Sequence, residues 1–346
     1  VSDTEQRERR RSAQRPGPAP GHAGPPRGDG GHRPASGPSL WPAISFVRRL
    51  REGLDGTGDL PAALAGATLG LPRDVRETIA TLGRRLGGDY PEDEWGFDEQ
   101  FAEAAMPLLD FLYDRWWRVK IEGVTNVPSH GRGLLVSNHA GIFPWDAFMI
   151  GNGILREHPL PRFTKFLVLN WAFELPYVSM AIRKLGGVPA SPYNAIRLLE
   201  QDELVGVFPE GVKGTSKDFK DRYRLQRFGR GGFVELALRT GSPIVPVAVV
   251  GSEEIYPKIG EAKLLARATG APFFPITPTF PLLGPLGVVP LPSKWRIEFC
   301  EPIDTARYGP DAVRDRALVM ELSEQVRATI QRKVYENLVK RGSAFV

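Results

Sequence analysis

Apolar residues fall into two rhythms along this chain. Between 97 and 117, Phe101, Ala105, Leu108, Phe111, Leu112 and Trp116 recur at three- and four-residue steps, which puts them on one face of a helix. After that, short apolar runs alternate with amphipathic stretches. Val119–Gly123, Gly133–Ser137 and Trp295–Phe299 are strand-like, and Val205–Phe208 and Ile244–Val250 read as buried strands. Helical patterns separate them: Pro144 to about Leu155, Trp171 to Lys184, Pro192 to Gln201, Gly231 to Arg239, and a long closing helix from Asp311 to Lys340. This alternation predicts an α/β fold, a largely parallel mixed sheet flanked by helices.

The first 118 residues are different. Residues 1–40 are rich in Arg, Pro, Gly and Ser with almost no large apolar side chains, the composition of a disordered tail. Residues 41–118 read as an N-terminal helical region. It starts with a basic amphipathic stretch, Trp41 to Leu54, with Phe46, Val47 and Leu50 opposite Arg48, Arg49 and Arg51. That stretch could anchor at a membrane interface or pack on the domain. A polar-faced helix follows from Ala62 to Gly88. Residues 119–346 form the α/β domain.

Composition narrows the partners. The 346 residues carry a formal net charge of +5, with 42% hydrophobic and 25% charged residues. A pI near 9.3 suits anionic partners such as a membrane surface, phospholipid or coenzyme A. A nucleic-acid partner is not expected, because only the tail is notably basic and no binding module is recognisable. Cys300 is the single cysteine, which excludes an internal disulfide framework and suggests a reducing, cytoplasmic setting. The longest uncharged window, Ala268 to Ser293, contains Pro272, Pro275, Pro278, Pro281, Pro285, Pro290 and Pro292, so no regular helix can cross a membrane there. Its Phe273, Phe274, Phe280 and Leu283 belong either to an acyl-chain or membrane-facing flap or to a loop tucked onto the core.

Two segments carry candidate chemistry. In Ser137-Asn138-His139-Ala140-Gly141-Ile142-Phe143-Pro144-Trp145-Asp146, a strand ends and a helix begins. On a straight helix His139 and Asp146 would lie about 10.5 Å apart along the axis, too far to bond. Gly141 and Pro144 supply a turn that could bring them together. Asp146 would then fix the imidazole tautomer and leave the other nitrogen free to take a proton. Alternatively, Asp146 only charges the helix start and His139 is an ordinary turn residue. The second segment, Phe208-Pro209-Glu210-Gly211-Val212-Lys213-Gly214, also follows a strand. Its glycines allow close approach of a ligand, and Lys213 offers a charge to a phosphate. Arg222, Arg224, Arg227 and Arg230 form a basic cluster ahead of Gly231, able to hold phosphates or simply solvated.

Together these segments resemble the glycerolipid acyltransferase superfamily, which includes glycerol-3-phosphate and 1-acylglycerol-3-phosphate acyltransferases. Its first motif, Asn-His-x4-Asp, is matched by Asn138, His139 and Asp146. Its third is matched by Phe208, Pro209, Glu210, Gly211 and Lys213, and its fourth, an apolar strand with a proline, by the strand holding Pro246. Six residues rather than four separate His139 from Asp146, which marks a divergent branch. The second motif is best matched by Gly186 to Ser191 and lacks its terminal arginine.

The resemblance implies a glycerol-3-phosphate acyltransferase-like fold with an acyltransferase domain over 119–346. It implies His139 as general base, Asp146 as its orienting partner, and substrate contacts from Asn138, Phe208, Pro209, Glu210, Gly211, Lys213 and Pro246. The donor would be acyl-CoA or acyl carrier protein and the acceptor a lysophospholipid, with no metal or resident cofactor. The enzyme would sit on the inner face of the membrane, peripherally attached. Two alternatives remain: acylation of a neutral alcohol or diacylglycerol, and a catalytically silent lipid-binding relative. A hydrolase with Ser137 as nucleophile is disfavoured, because the Gly-x-Ser-x-Gly elbow is absent.

Overall fold

The computed structural model describes residues 91–345 except 142, 175–177 and 270–272, with scattered helical positions between 48 and 81. The tail expected over 1–40 lies outside the described residues, as does much of 41–54 and 62–88; Arg48, Arg49 and Arg51 are described and helical.

Seven strands make the main sheet: β1 (Lys120–Glu122), β2 (Gly133–Ser137), β3 (Thr164–Val168), β4 (Gly187–Pro189), β5 (Leu204–Val207), β6 (Ile244–Val250) and β9 (Arg296–Phe299). A separate ribbon pairs β7 (Gly260–Glu261) with β8 (Pro275–Ile276). The order is β1-β9-β6-β2-β5-β3-β4, and only the β6–β9 pair is antiparallel. The flanking helices are α1 (Glu99–Phe111), α2 (Trp145–Glu157), α3 (Val178–Lys184), α4 (Pro192–Glu200), the single turn α5 (Val212–Thr215), α6 (Gly232–Thr240), α7 (Lys263–Thr269) and α8 (Arg316–Arg341).

The central strands are apolar on both faces because each face carries a core. Leu135, Val245, Val247 and Val249 point to one, shared with α1, α2 and the stacked rings of Trp117 and Trp295, 4.8 Å apart. Leu134, Val136, Ala248 and Val250 point to the other, shared with α4, α6 and α8. This is the two-residue alternation of a strand, covered on both sides. Residues 105–117 thus pack into the same core as the strands. Among the described residues, no helix is long and apolar enough to cross a membrane.

The structure departs from the expected elements at several points. β3 and β4 were not anticipated from the residue pattern. Lys165 breaks the apolar run of β3, and it is buried against Asp93, 2.5 Å away, and over the Phe97 ring. The helix expected from 171 to 184 is a 3₁₀ turn, Asn170–Glu174, followed by α3; Pro176 stands between them in the sequence, where an uninterrupted helix would lose a hydrogen bond. The closing helix begins at Arg316, because Asp315 caps it by accepting from the backbone N–H groups of Ala317 and Leu318.

Candidate active site

β2 and β5 are parallel neighbours at the sheet centre, so the segments that follow them emerge side by side at their carboxyl ends. Asn138 is the first residue beyond β2. Its amide donates to the Val249 carbonyl (2.9 Å) and accepts from the Val249 N–H (2.8 Å), which fixes the start of the loop to β6. His139 comes next.

The loop from His139 turns back on itself, with Gly141 at φ +77°, a conformation costly for any side chain. The turn brings Asp146, in the first turn of α2, to the histidine: His139 Nδ1 lies 2.6 Å from Asp146 Oδ2. The six-residue gap therefore still allows the two to meet. The fully buried carboxylate also accepts from the N–H of Ala140 (3.0 Å) and of Ala147 (2.9 Å). Three donors fix one carboxylate. Nε2 of His139 makes no hydrogen bond among the described residues, and the ring lies in the wall of a cavity of about 640 Å³. Phe208 stacks on the imidazole with ring centres 4.2 Å apart, and Phe166 stacks behind Phe208 at 5.9 Å.

The segment after β5 does two different jobs. Phe208, Pro209 and Gly211 line the cavity. Glu210 does not: its buried carboxylate accepts from the backbone N–H of His139 (3.0 Å) and of Gln226 (2.6 Å), and it lies 3.3 Å from Lys217 Nζ. It is a tie between loops. Gly214 permits this packing, since a Cβ there would fall 2.6 Å from that of Glu210. Lys213 is exposed and lies outside the cavity lining, as do the buried Asn138 and the mid-strand Pro246. The Pro246 carbonyl accepts from Cys300 N (2.8 Å), just past the end of β9, where the N–H that proline lacks would have completed the reciprocal bond.

The sequence reading assigned no role to Lys217, Glu253, Phe166 or Tyr256. Lys217 turns inward between Glu210 and Glu253, 2.7 Å from the latter. Burial opposes its charge, but the Glu253 and Glu210 carboxylates outweigh that and hold the ammonium above its usual range. No local signal marks this trio, whose members stand 7 and 36 residues apart in sequence. Of the basic cluster, Arg222 and Arg230 line the cavity while Arg224 and Arg227 do not. The rest of the lining is largely apolar. Phe273, Phe274 and Phe280 of the proline-rich window line it, as do Val168, Trp171 and Ile182. Among the described residues, no cluster of His, Cys, Asp and Glu could hold a metal.

An oriented histidine at the carboxyl end of a parallel sheet, in the wall of a largely apolar cavity, is an arrangement able to take up a proton beside an apolar ligand. Residues 118–250 match the family model described as Acyltransferase. An uncharacterised protein of Mycobacterium tuberculosis is 50% identical over 288 residues, covering 82% of this chain and 80% of its own length. The 1-acyl-sn-glycerol-3-phosphate acyltransferase LPAT1 of Arabidopsis thaliana is 28% identical over 160 residues, 43% of this chain and 40% of that one. Phytyl ester synthase 2 of the same plant is 26% identical over 186 residues, 46% of this chain and 25% of that one. The chain belongs to the acyltransferase family, and it is an enzyme of that class.

Proposed function

We propose that this enzyme moves a fatty acyl group from a thioester, acyl-CoA or acyl carrier protein, to the free hydroxyl of a lysophospholipid or glycerol-phosphate acceptor of the 1-acylglycerol-3-phosphate kind. The observation that carries the reading is His139, held by Asp146 and lining an apolar cavity that also bears Arg222 and Arg230. With Nδ1–H engaged by Asp146, Nε2 of the neutral ring is the base. It takes the proton of the acceptor hydroxyl as that oxygen attacks the thioester carbonyl carbon. The C–O bond forms, the C–S bond breaks, and the departing thiolate recovers the proton from Nε2. Asp146 stabilises the imidazolium between those two transfers. General base catalysis of this kind contributes about 10²–10⁴-fold, and holding both substrates together supplies more.

The apolar walls suit the acyl chain, and Arg222 and Arg230 suit a phosphate of either substrate. The reading calls for no resident metal or cofactor. It sets the enzyme at the cytoplasmic face of a membrane, where such substrates partition. A second reading, transfer to a neutral alcohol, is favoured by the likeness to phytyl ester synthase 2 and by the absence of arginine between Gly186 and Ser191.

The test is to incubate the purified full chain with acyl-CoA or acyl carrier protein donors. The acceptors are 1-acylglycerol-3-phosphate, glycerol-3-phosphate, diacylglycerol and long-chain alcohols, with products identified by mass. The phosphate-bearing acceptors should be preferred, and Arg222→Ala/Arg230→Ala should erode that preference. A neutral alcohol as the better acceptor overturns the first reading for the second. No product from any pair leaves a lipid-binding protein without activity.

A further inference from the structure

The described residues between 259 and 288 form a two-sided piece of structure. Its inner side closes the cavity: Phe273 is 4% exposed, and Phe274 and Phe280 line the space with their rings 5.3 Å apart. The β7–β8 ribbon braces it, and the Tyr256 hydroxyl, which donates to the Val288 carbonyl at 2.7 Å, ties it to the core. The aromatic residues are therefore occupied within.

Its outer side is unusual for a protein surface. Among the described residues, six of the twelve large apolar side chains that stand exposed come from residues 259–288: Ile259, Leu264, Leu265, Leu282, Leu283 and Val288. Leu264 and Leu282 are 78% and 82% exposed. Scattered exposed leucines need no explanation, but half of the inventory in one short segment does. Val288 lines the cavity and is also exposed, and so is Leu169 on β3's side, so the apolar lining runs out onto the surface.

On and beside α7 the cations Lys258, Lys263 and Arg267 outnumber the carboxylates Asp218 and Glu261. Lys263 and Arg267 on α7 are exposed and form no ion pair among the described residues. The nearby carboxylates of Asp218 and Glu261 both face Lys258, each at 3.4 Å. Exposed leucines beside unpaired cations match a bilayer with anionic headgroups: the leucines enter the acyl boundary while the lysine and arginine stay at phosphate level.

We propose that the surface bearing Ile259, Leu264, Leu265, Leu282, Leu283 and Val288 is the membrane-docking surface of this enzyme, seated on anionic lipid so that the cavity mouth opens toward the bilayer. This deepens the reading of the site as one for lipid substrates, and rests on it only for the sense of substrate entry. A lipid would reach His139 by sliding along a continuous apolar surface.

The experiment is flotation of the full chain with vesicles of phosphatidylcholine, with and without phosphatidylglycerol. Wild type should bind the anionic vesicles more tightly. Salt should weaken that binding without abolishing it, because charges are screened beyond about 10 Å at 0.1 M whereas apolar insertion is not. Leu264→Ser/Leu282→Ser/Leu283→Ser should weaken vesicle binding about tenfold or more, with an unchanged melting curve. Lys263→Glu/Arg267→Glu should remove the preference for phosphatidylglycerol, which provides a second readout should the triple variant misfold. Wild type that does not bind either vesicle overturns the proposal. So does a folded triple variant that binds like wild type, or one that changes oligomeric state instead, which would mean that a second copy covers this face. Binding is read without turnover, so a chain that floats but transfers no acyl group refutes the reaction and leaves the docking face intact.

Discussion

Asp146→Asn changes charge while keeping shape, so its consequences can be worked out atom by atom. The carboxylate fills three acceptor roles: Oδ2 takes His139 Nδ1 and the Ala140 N–H, and Oδ1 takes the Ala147 N–H. An amide has only one oxygen. If that oxygen faces Ala147, the amide NH₂ meets the Ala140 N–H donor to donor. It also forces His139 Nδ1 to accept, which shifts the ring proton to Nε2 and removes the base. If the oxygen faces His139 and Ala140, the NH₂ confronts the Ala147 N–H and the imidazolium loses its counter-charge. Either orientation strands one buried N–H, at a cost of about 1–3 kcal/mol in stability. Loss of the base should lower kcat by about 10²–10⁴-fold with little change in either KM, since the residue lies outside the cavity lining. Steady-state assays with acyl-CoA, beside denaturant unfolding of the same preparation, measure both. A folded variant that keeps kcat within about tenfold of wild type would refute the assignment of His139 as an Asp-oriented base.

Glu210→Gln should act on architecture first: one of the two backbone N–H groups that Glu210 ties, on His139 or Gln226, loses its acceptor. Stability should fall by roughly 1–3 kcal/mol and kcat should fall with it; unchanged unfolding and unchanged turnover would refute the tie. Cys300 is buried, and burial, with the Glu298 carboxylate nearby, pushes its thiol up to about 12. The native thiol should therefore resist alkylation at pH 8 and react on unfolding, as read by mass. Because the folded value lies above the unfolded one near 8.5, its contribution to stability is complete below about pH 8.5 and is lost as pH rises toward 12.

What could be read in the sequence were features whose cause is local. The buried strands announce themselves as apolar runs, α4 by Pro192 at its start, and the meeting of His139 with Asp146 by the glycine and proline between them. What escaped depended on distant partners. β3 carries a lysine that is tolerable only because Asp93, 72 residues earlier, receives it. Glu210 looks like a ligand group from its neighbours, and it is a tie because the N–H it accepts is 71 residues away. Lys213, in the single turn of α5, points out and Lys217, just past it, points in, and the Gly214-Thr215-Ser216 between them gives no hint which is which. In the proline-rich window no periodicity exists to sort residues, so the inward aromatics and the outward leucines could not be told apart.

Asn138 holds Val249 by both ends of its amide, so β2 gains a rung without a further residue of strand backbone. A loop usually starts loose at the last rung of its sheet. Here the last rung is a side chain, and His139 begins one residue past a fixed point on a neighbouring strand. Grafting the loop from His139 to Asp146 onto another α/β scaffold therefore means carrying Asn138 and a matching peptide with it. An aspartate at that position could accept but never donate, and the graft would start from a frayed end.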